Sequence, residues 1–279
     1  MILLPLHPPS TRILRGRSCI LIDGRRTKPV NNLTTYCSPR YIERAERIWS
    51  LLLVIMAEDH FIELMDVTKI YHQGDNPVVA LNHIYLTLPK GGFIAITGKS
   101  GCGKSTLINI LGGLDSPDQG RVMIQGEDIS RMDDRRLTLF RRDRVGIIFQ
   151  FFNLLPILNL EENIVLPYLL REGSNPPADR MERLLQEIGL LERRYHHPHE
   201  LSGGEMQRVA ICRALINDPE IILADEPTGN LDSASGKQVL EILRRLRDEH
   251  GKTILLVTHS QEGAAMADRI IQMRDGKLL

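Results

Sequence analysis

The feature that most constrains this chain is a glycine- and lysine-rich run at residues 98–106, which reads GKSGCGKST. The run matches the pattern GxxxxGK[ST] and lies between a β-rich apolar stretch, Phe93–Thr97, and a helical stretch, Lys104–Leu111. In that context the backbone N–H groups turn around an anion at the positive end of a helix. The run therefore predicts a phosphate-binding loop in an α/β fold. Its candidate binding residues are Gly98, Lys99, Ser100, Gly101, Cys102, Gly103, Lys104, Ser105 and Thr106.

Four side chains give this loop a specific chemistry. Lys104 is placed to reach the β- and γ-phosphates, and the Ser105 hydroxyl is a ligand for Mg²⁺. A second anchor for the metal is predicted at Asp225, which ends the apolar strand candidate 221–224 and so falls at the carboxyl edge of the sheet. Glu226 follows directly, and we interpret it as the group that polarises water. The sequence predicts hydrolysis of a nucleotide.

Two further polar residues each follow an apolar strand candidate. Gln150 comes after Val-Gly-Ile-Ile-Phe and could bind Mg²⁺ or orient water. His259 comes after Leu-Leu-Val-Thr and could donate a hydrogen bond to the γ-phosphate. A lone Gln or His at such a position is also common as an ordinary loop residue, so both interpretations stay open here.

A second candidate anion site lies about 100 residues beyond the first. Ser202, Gly203, Gly204 and Glu205 open a predicted helix that runs over 206–215. A serine hydroxyl, exposed N–H groups and a helix dipole can together hold a phosphate. The alternative is that Ser202 merely caps its own helix.

The order of these motifs resembles that of an ATP-binding-cassette (ABC) ATPase over about 57–279. The motifs are the loop at 98–106, Gln150, LSGGE at 201–205, IILADE at 221–226, GNLD at 229–232 and His259. The resemblance implies a P-loop NTPase fold of the α/β class, with a RecA-like mixed-sheet core and an antiparallel β subdomain. It also implies an α-helical subdomain at about 131–205.

The resemblance further implies ATP and Mg²⁺ as cofactors and a head-to-tail dimer of two copies. Each ATP would lie between the phosphate-binding loop of one copy and the Ser202–Glu205 segment of the other. Asp232 would belong to a loop that communicates across the interface, and Tyr71 resembles the aromatic residue that stacks on adenine. Glu205 stands where many relatives have Gln, which leaves the phosphate contacts to Ser202 and the glycines.

The stretch 149–167 is similar to cassettes of the macrolide-export and lipoprotein-release group. In that group a cytoplasmic ATPase dimer drives a separate permease, so we expect this chain at the cytoplasmic face of the inner membrane, held there by an integral-membrane partner. Apolar residues that would form a docking patch are Phe151, Phe152, Leu154, Leu155 and Leu158. Two alternatives stay open: the patch could be subdomain core, and the cassette could signal to a membrane partner without transport, as in the cell-division relative.

Composition limits the remaining classes. Lys+Arg and Asp+Glu are both 35, so overall charge does not favour a nucleic-acid partner. The longest apolar runs fall short of the roughly 20 residues needed to span a bilayer. Residues 1–55 are basic and rich in Arg, Pro, Ser and Thr without a sustained period, and we expect a disordered extension or a start codon chosen upstream of the true one. The alternative is a basic arm that touches anionic lipid. The normal domain would begin at 57.

Overall fold

The computed structural model of the chain describes residues 2–6, 10–15, 18–23, 26–30, 60–73 and 76–279. The chain divides into two units, Met1–Glu58 and Asp59–Leu279. In the first unit four strands pair in sequence order as an antiparallel sheet, β1 (Ile2–Leu6), β2 (Ser10–Arg15), β3 (Ser18–Asp23) and β4 (Arg26–Val30). Residues 31–55 lie outside the described part. The expectation for 1–55 as a whole therefore stays a prediction.

The second unit is built around a six-stranded sheet in the order β10-β11-β12-β7-β13-β14. Its first five strands are parallel, and the short last strand turns back antiparallel. The central strands are almost wholly apolar, as expected for a sheet covered on both faces. The strands are β7 (Phe93–Thr97), β10 (Val145–Ile148), β11 (Ile221–Asp225), β12 (Thr253–Val257), β13 (Arg269–Arg274) and β14 (Lys277–Leu278).

A second, antiparallel sheet is formed by two strands that precede the phosphate-binding loop in sequence and two strands that follow it. Its order is β6-β5-β8-β9, with β5 (His60–Gln73), β6 (Asn76–Pro89), β8 (Gln119–Ile124) and β9 (Glu127–Asp128). Buried residues alternate with more exposed ones along β6, because only one face of this sheet meets the core. Ile84 and Leu86 are among the inward-facing residues.

Seven α-helices connect or cover the strands of the described part of the second unit. They are α1 (Lys104–Leu111), α2 (Asp134–Arg144), α3 (Leu160–Glu172), α4 (Ala178–Glu187), α5 (Gly203–Leu215), α6 (Ser233–Asp248) and α7 (Gln261–Ala264). The stretch 131–205 is mostly helical, and it also contains β10, which pairs with β11 at the edge of the large sheet.

Two apolar clusters cover the two faces of the large sheet. Alternate residues of β11 divide between them: Leu223 belongs to the cluster with α1, and Ile222 to the cluster with α5 and α6. Because β7, β10, β11 and β12 run parallel, the loops that follow them meet at one edge. That edge is where open α/β sheets bind ligands.

Candidate active site

A cleft of about 860 Å³ opens at this edge of the sheet. The structure brings most of the predicted site residues to its walls. They are Tyr71, Ser100 to Thr106, Gln150, Asp225, Glu226 and His259. Gly98 and Lys99 are not among the lining residues, nor are Ser202–Glu205 and Asp232. Gly98 and Lys99 contact Lys104 from the same loop, whereas Ser202–Glu205 and Asp232 form a second group outside the cleft lining.

The phosphate-binding loop depends on its last glycine. Gly103 has a φ of 107°, in the region that favours glycine, and a Cβ there would lie 2.2 Å from the carbonyl oxygen of Ala80. Gly103 is also the N-terminal cap of α1, and among the described residues no side chain hydrogen-bonds to the N–H groups at this end of the helix. The first turn of α1 thus directs uncapped donors at the cleft, which is the arrangement that binds an anion.

Lys104 is buried, and its ammonium group is held by the loop itself. Its Nζ donates to the carbonyl oxygens of Gly98, at 2.9 Å, and Lys99, at 3.0 Å. The Nζ also lies 3.4 Å from Nε2 of His259. These contacts explain what Gly98 and Lys99 do from behind the cleft: their backbones hold the lysine.

Asp225 provides the observation that shows whether the cleft residues fit a metal ion. It ends β11, and its Oδ1 is buried without a hydrogen-bond partner among the described residues. An unpartnered buried carboxylate oxygen is costly unless a cation or donor is supplied. Ser105 and Gln150 line the same cleft and add neutral oxygen ligands, the kind that Mg²⁺ takes in such sites. The donor set of these three residues fits a magnesium ion.

Glu226 has an unusual backbone. Its φ is 48°, a left-handed conformation in a residue other than glycine, of the kind found at functional sites. The turn is held by its own N–H donating to the Val257 carbonyl at 2.9 Å. Its carboxylate is oriented by His259, whose backbone N–H donates to Oε2 at 3.0 Å and whose Nε2 lies 3.1 Å from Oε1. The carboxylate is thus held at the cleft wall through Oε2, while Oε1 is buried and has no hydrogen-bond partner among the described residues.

Gln150 follows β10 by two residues and is coupled to the loop after β11. Its Nε2 lies 3.4 Å from Oδ1 of Asn230, and its carbonyl accepts from Nδ2 of Asn230 at 3.2 Å. A Cβ at Gly229 would lie 3.1 Å from the Gln150 Nε2, so Gly229 leaves the room that the glutamine occupies. The GNLD motif thus packs against the glutamine that enters the cleft.

Tyr71 lies near the end of β5 and also lines the cleft. Its hydroxyl donates to Asp115 at 2.7 Å, and Lys69 donates to the other oxygen of the same carboxylate at 2.6 Å. Burial opposes ionisation of Asp115, but the hydrogen bonds from Lys69 and Tyr71 outweigh it and lower the pKa of that carboxyl. Partial burial and the Asp115 carboxylate raise the pKa of Tyr71. The ring, 37% exposed, is held at the cleft beside Val78 and Val79.

The segment Ser202–Glu205 is closed on itself. The Ser202 hydroxyl accepts from the Glu205 N–H at 3.3 Å, and the Glu205 Oε2 accepts from both the N–H and the hydroxyl of Ser202 at 2.8 Å. This is a capping box. The backbone hydrogen bond from Ser202 lowers the pKa of the Glu205 carboxyl, and Arg193 lies 3.4 Å away. The cap that the sequence offered as an alternative is present, at an exposed serine.

Asp232 is the N-cap of α6. Its carboxylate accepts from the N–H groups of Ala234 and Ser235 and from the Ser235 hydroxyl. The hydrogen bonds from Ser235 lower the pKa of this carboxyl. Within the described part of the chain Asp232 therefore positions a helix, and its role across an interface stays a prediction.

Sequence reasoning missed Thr228, Thr258 and Ser260, which are close in sequence to predicted site residues, and it missed two groups of lining residues from remote segments. Val78, Val79 and Ala80 come from β6, and Asp275 and Gly276 come from the turn after β13. An Asp-Gly pair is a known turn signal, so the turn itself could have been predicted. No local pattern says that this turn lies against a loop about 175 residues earlier.

Comparison with known proteins agrees with this geometry. The ABC transporter family model matches residues 81–229. An uncharacterized ABC transporter ATP-binding protein of Thermotoga maritima is 48% identical over 220 residues, 78% of this chain and 93% of that protein. A macrolide export ATP-binding/permease protein of Hyphomonas neptunium is 48% identical over 221 residues; the match covers 78% of this chain but 34% of that relative. The predicted resemblance to macrolide-export cassettes is confirmed.

A solved structure supports the same assignment. The ATP-binding cassette MJ0796, from Methanocaldococcus jannaschii, in a dimeric post-hydrolysis state bound to ADP and Pi, matches with a TM-score of 0.73 and 41% identity. The match covers 78% of this chain and 96% of that one. The predicted fold class is thereby confirmed. Among the described residues, no helix has the length and apolar character to cross a bilayer. The chain belongs to the ABC transporter family, as a cassette that binds and hydrolyses ATP.

Proposed function

We propose that the cleft holds one MgATP and that a second copy of the chain completes the site from the opposite side. The observation that carries this proposal is the separation of the predicted residues. Lys104, Asp225, Glu226 and His259 share one cleft, whereas Ser202 is exposed and takes no part in lining it. A head-to-tail pair brings the Ser202–Glu205 segment of one copy over the cleft of the other.

Each side chain then has a defined task. Lys104 exchanges the Gly98 and Lys99 carbonyls for β- and γ-phosphate oxygens, and the uncapped N–H groups of α1 add donors. Glu226 accepts the proton of the water whose oxygen bonds to the γ-phosphorus, while the bond from that phosphorus to the β–γ bridging oxygen breaks and ADP leaves. His259 holds the Glu226 carboxylate in place, and its ring would hydrogen-bond to the γ-phosphate. Tyr71 stacks on the adenine beside Val78 and Val79.

A magnesium ion would be held by Ser105, Gln150 and Asp225, where it neutralises charge on the phosphate oxygens. Asp225 Oδ1 supports this role, because it is a buried acceptor without a described partner. Gln150 connects this position to the surface through Asn230, whose side chain bonds to it from the loop after β11.

ATP bound in the cleft of one copy then drives closure of the dimer. The negative charge of the triphosphate is countered by Lys104 and the α1 terminus on one side and by the α5 terminus on the other. Loss of the γ-phosphate removes the contacts that join the two sides, so the copies can separate. The free energy of ATP hydrolysis is thereby coupled to a change in the distance between the two copies.

The separate permease that we propose as the partner would meet the exposed apolar residues that follow Gln150. Phe151 is 68% exposed, and Leu155 and Ile157 are also exposed, whereas Phe152 and Leu154 are partly buried. Exposed apolar side chains grouped in this way are typical of a protein-protein contact.

The place of action is the cytoplasmic face of the membrane, and ATP-driven export is the favoured role. Signalling to a membrane partner is the alternative, and stimulation of ATPase activity by a substrate in reconstituted vesicles separates the two.

Glu226→Gln tests the proposal. The amide keeps the size of the carboxylate but cannot accept the proton, so the variant binds ATP and stops before hydrolysis. We expect a dimer in MgATP and a monomer in MgADP, measured by size-exclusion chromatography with light scattering, and turnover reduced by about a hundredfold or more.

Glu262→Gln is the matched control, because Glu262 is an exposed glutamate on α7 outside the cleft lining. It should behave as the unaltered protein in both measurements. A Glu226→Gln protein that stays monomeric in MgATP contradicts the shared-nucleotide proposal. Unchanged turnover contradicts the role of Glu226.

A further inference from the structure

The turn that joins β13 to β14 is bonded to the phosphate-binding loop. The Gly276 N–H donates to the carbonyl oxygen of Cys102 at 3.0 Å, and the Gly276 carbonyl accepts from the Asn82 N–H at 2.8 Å. One residue near the C-terminal end of the sequence thus connects the loop to β6. Both hydrogen bonds are made by backbone atoms, so they depend on the conformation of the turn and not on side-chain identity.

The strand before this turn lies against the same loop. Met273 is buried, and its carbonyl oxygen would lie 2.2 Å from a Cβ at Gly98. Its terminal methyl carbon would lie 2.8 Å from a Cβ at Gly103. Met273 therefore touches the first and the last glycine of the loop, with its backbone at one and its side chain at the other.

The carbonyl oxygen of Ala80 is close to both the turn and the phosphate-binding loop, and so provides a second connection between them. The Ala80 oxygen lies 2.2 Å from the Cβ position of Gly103 and 3.1 Å from that of Gly276. Gly276 has a φ of 75°, and Asp275 before it has a φ of 49°. A side chain at Gly276 would strain the turn and press on Ala80, which in turn abuts Gly103.

We propose that the β13–β14 hairpin positions the phosphate-binding loop, with Gly276 and Met273 as positioning residues for nucleotide binding. The inference rests on the proposed function, since it takes the cleft to be the nucleotide site. The hairpin and β6 hold the loop between them, so that the N–H groups of 101–104 keep the spacing that a triphosphate needs. Small displacements of such groups are costly to binding and rate.

The chain offers a matched control for the turn. Gln125 and Gly126 join β8 to β9 with φ values of 51° and 77°, nearly those of Asp275 and Gly276. A Cβ at Gly126 meets nothing within 4 Å. Gly126→Ala therefore introduces the same backbone strain as Gly276→Ala at a turn with no hydrogen bond to the loop.

The experiment measures the Kd of a fluorescent ATP analogue with Mg²⁺, together with kcat, KM and Tm, for both variants. We expect both to lose thermal stability, and Gly276→Ala alone to raise the Kd and KM by about tenfold, with a smaller change in kcat. Equal Kd values for the two folded variants would overturn the inference, because the backbone strain that both variants share would then account for any change in Kd.

Met273→Leu provides a second readout if Gly276→Ala does not fold. The exchange keeps an apolar side chain of similar volume, so Tm should change little, while the methyl contact at Gly103 is lost. We expect the Kd to rise about threefold, against no change for Met181→Leu, a buried methionine on α4. No difference between these two variants would overturn the inference.

Lys104→Ala separates this inference from the proposed function. Unchanged nucleotide binding in that variant contradicts the assignment of the cleft itself. Lost binding in Lys104→Ala, combined with equal Kd values for Gly276→Ala and Gly126→Ala, leaves the cleft assigned and contradicts the role of the hairpin alone.

Discussion

The two helices that begin with glycine-rich segments differ in how their N-termini are satisfied. At α1 the cap is Gly103, no side chain in the described part of the chain bonds to the N–H groups, and the buried Lys104 lies beside them. At α5 the cap is Ser202, and Glu205 completes a reciprocal pair of hydrogen bonds. The first terminus is open to an anion within its own chain. At the second, the Ser202 hydroxyl and the Glu205 N–H are already hydrogen-bonded within the segment.

This difference shows that two helices that both begin with glycine-containing segments need not bind an anion in the same way. The α1 terminus lies inside a cleft with an unpartnered carboxylate, Asp225, whereas the α5 terminus lies outside the lining of that cleft. A phosphate at α5 that accepts from the Ser202 hydroxyl must replace the bond which that hydroxyl donates to Glu205. We therefore expect the α5 terminus to bind a nucleotide that the cleft of another copy already holds. This expectation agrees with a site shared between copies.

The largest effect on ATP hydrolysis is expected at Lys104, and it tests the comparison between the α1 and α5 termini. Lys104→Ala removes the buried cation from the open terminus, and we expect ATP hydrolysis to fall by at least about a hundredfold. The control is Lys90→Ala, at a lysine that is 60% exposed and outside the cleft lining. Steady-state ATPase measurements check both. Turnover that survives in Lys104→Ala would mean that α1 is not the primary phosphate site.

A smaller effect is expected at the second terminus. Ser202→Ala removes both the cap and the hydroxyl that would reach a phosphate, so we expect hydrolysis to fall about tenfold while nucleotide binding to the isolated chain is unchanged. The lost cap should also cost about 1 kcal/mol of unfolding free energy.

Asp133→Ala is the matched control for that variant, because Asp133 caps α2 through the Arg136 N–H at 2.8 Å, outside the cleft lining. It should lose similar stability and keep its activity. If Ser202→Ala weakens nucleotide binding by the isolated chain, the two termini act within one molecule and the comparison fails.

The smallest effect is expected at Glu205. Glu205→Gln keeps a side chain that can complete a capping box but removes a negative charge beside the incoming phosphate, so the ATP-dependent dimer should tighten by about threefold at low salt. Analytical ultracentrifugation in the Glu226→Gln background measures this. A weaker dimer would show that the carboxylate is needed for the interface.

The same variant has a pH signature. The pKa of Glu205 is lowered from its ordinary value of 4.5, chiefly by the hydrogen bond from the Ser202 N–H. The stabilisation is therefore fully present above pH 4.5 and is lost as pH falls through the lowered pKa. Thermal unfolding between pH 6 and pH 3 should show the advantage of the unaltered protein over Glu205→Gln shrinking as the pH falls.

The local sequence determined the parts of this site that depend on neighbours along the chain. The pattern at 98–106 predicted a strand, a loop and a helix, and the structure has β7 at Phe93–Thr97 and α1 at Lys104–Leu111. Apolar runs that end in Asp225 and that precede His259 predicted parallel strands, because such runs are buried on both faces. Their meeting at one edge then follows from parallel topology.

Only the tertiary structure decided which distant segments hold those parts in place. Nothing near Gly276 in sequence indicates that its N–H bonds to Cys102, and nothing near Asp115 indicates that it holds Tyr71. The closed state of Ser202 also had two interpretations, since a serine before a helix can serve a cap or a ligand. Local patterns record which donors and apolar faces a segment has, whereas packing of remote segments selects the partners that satisfy them.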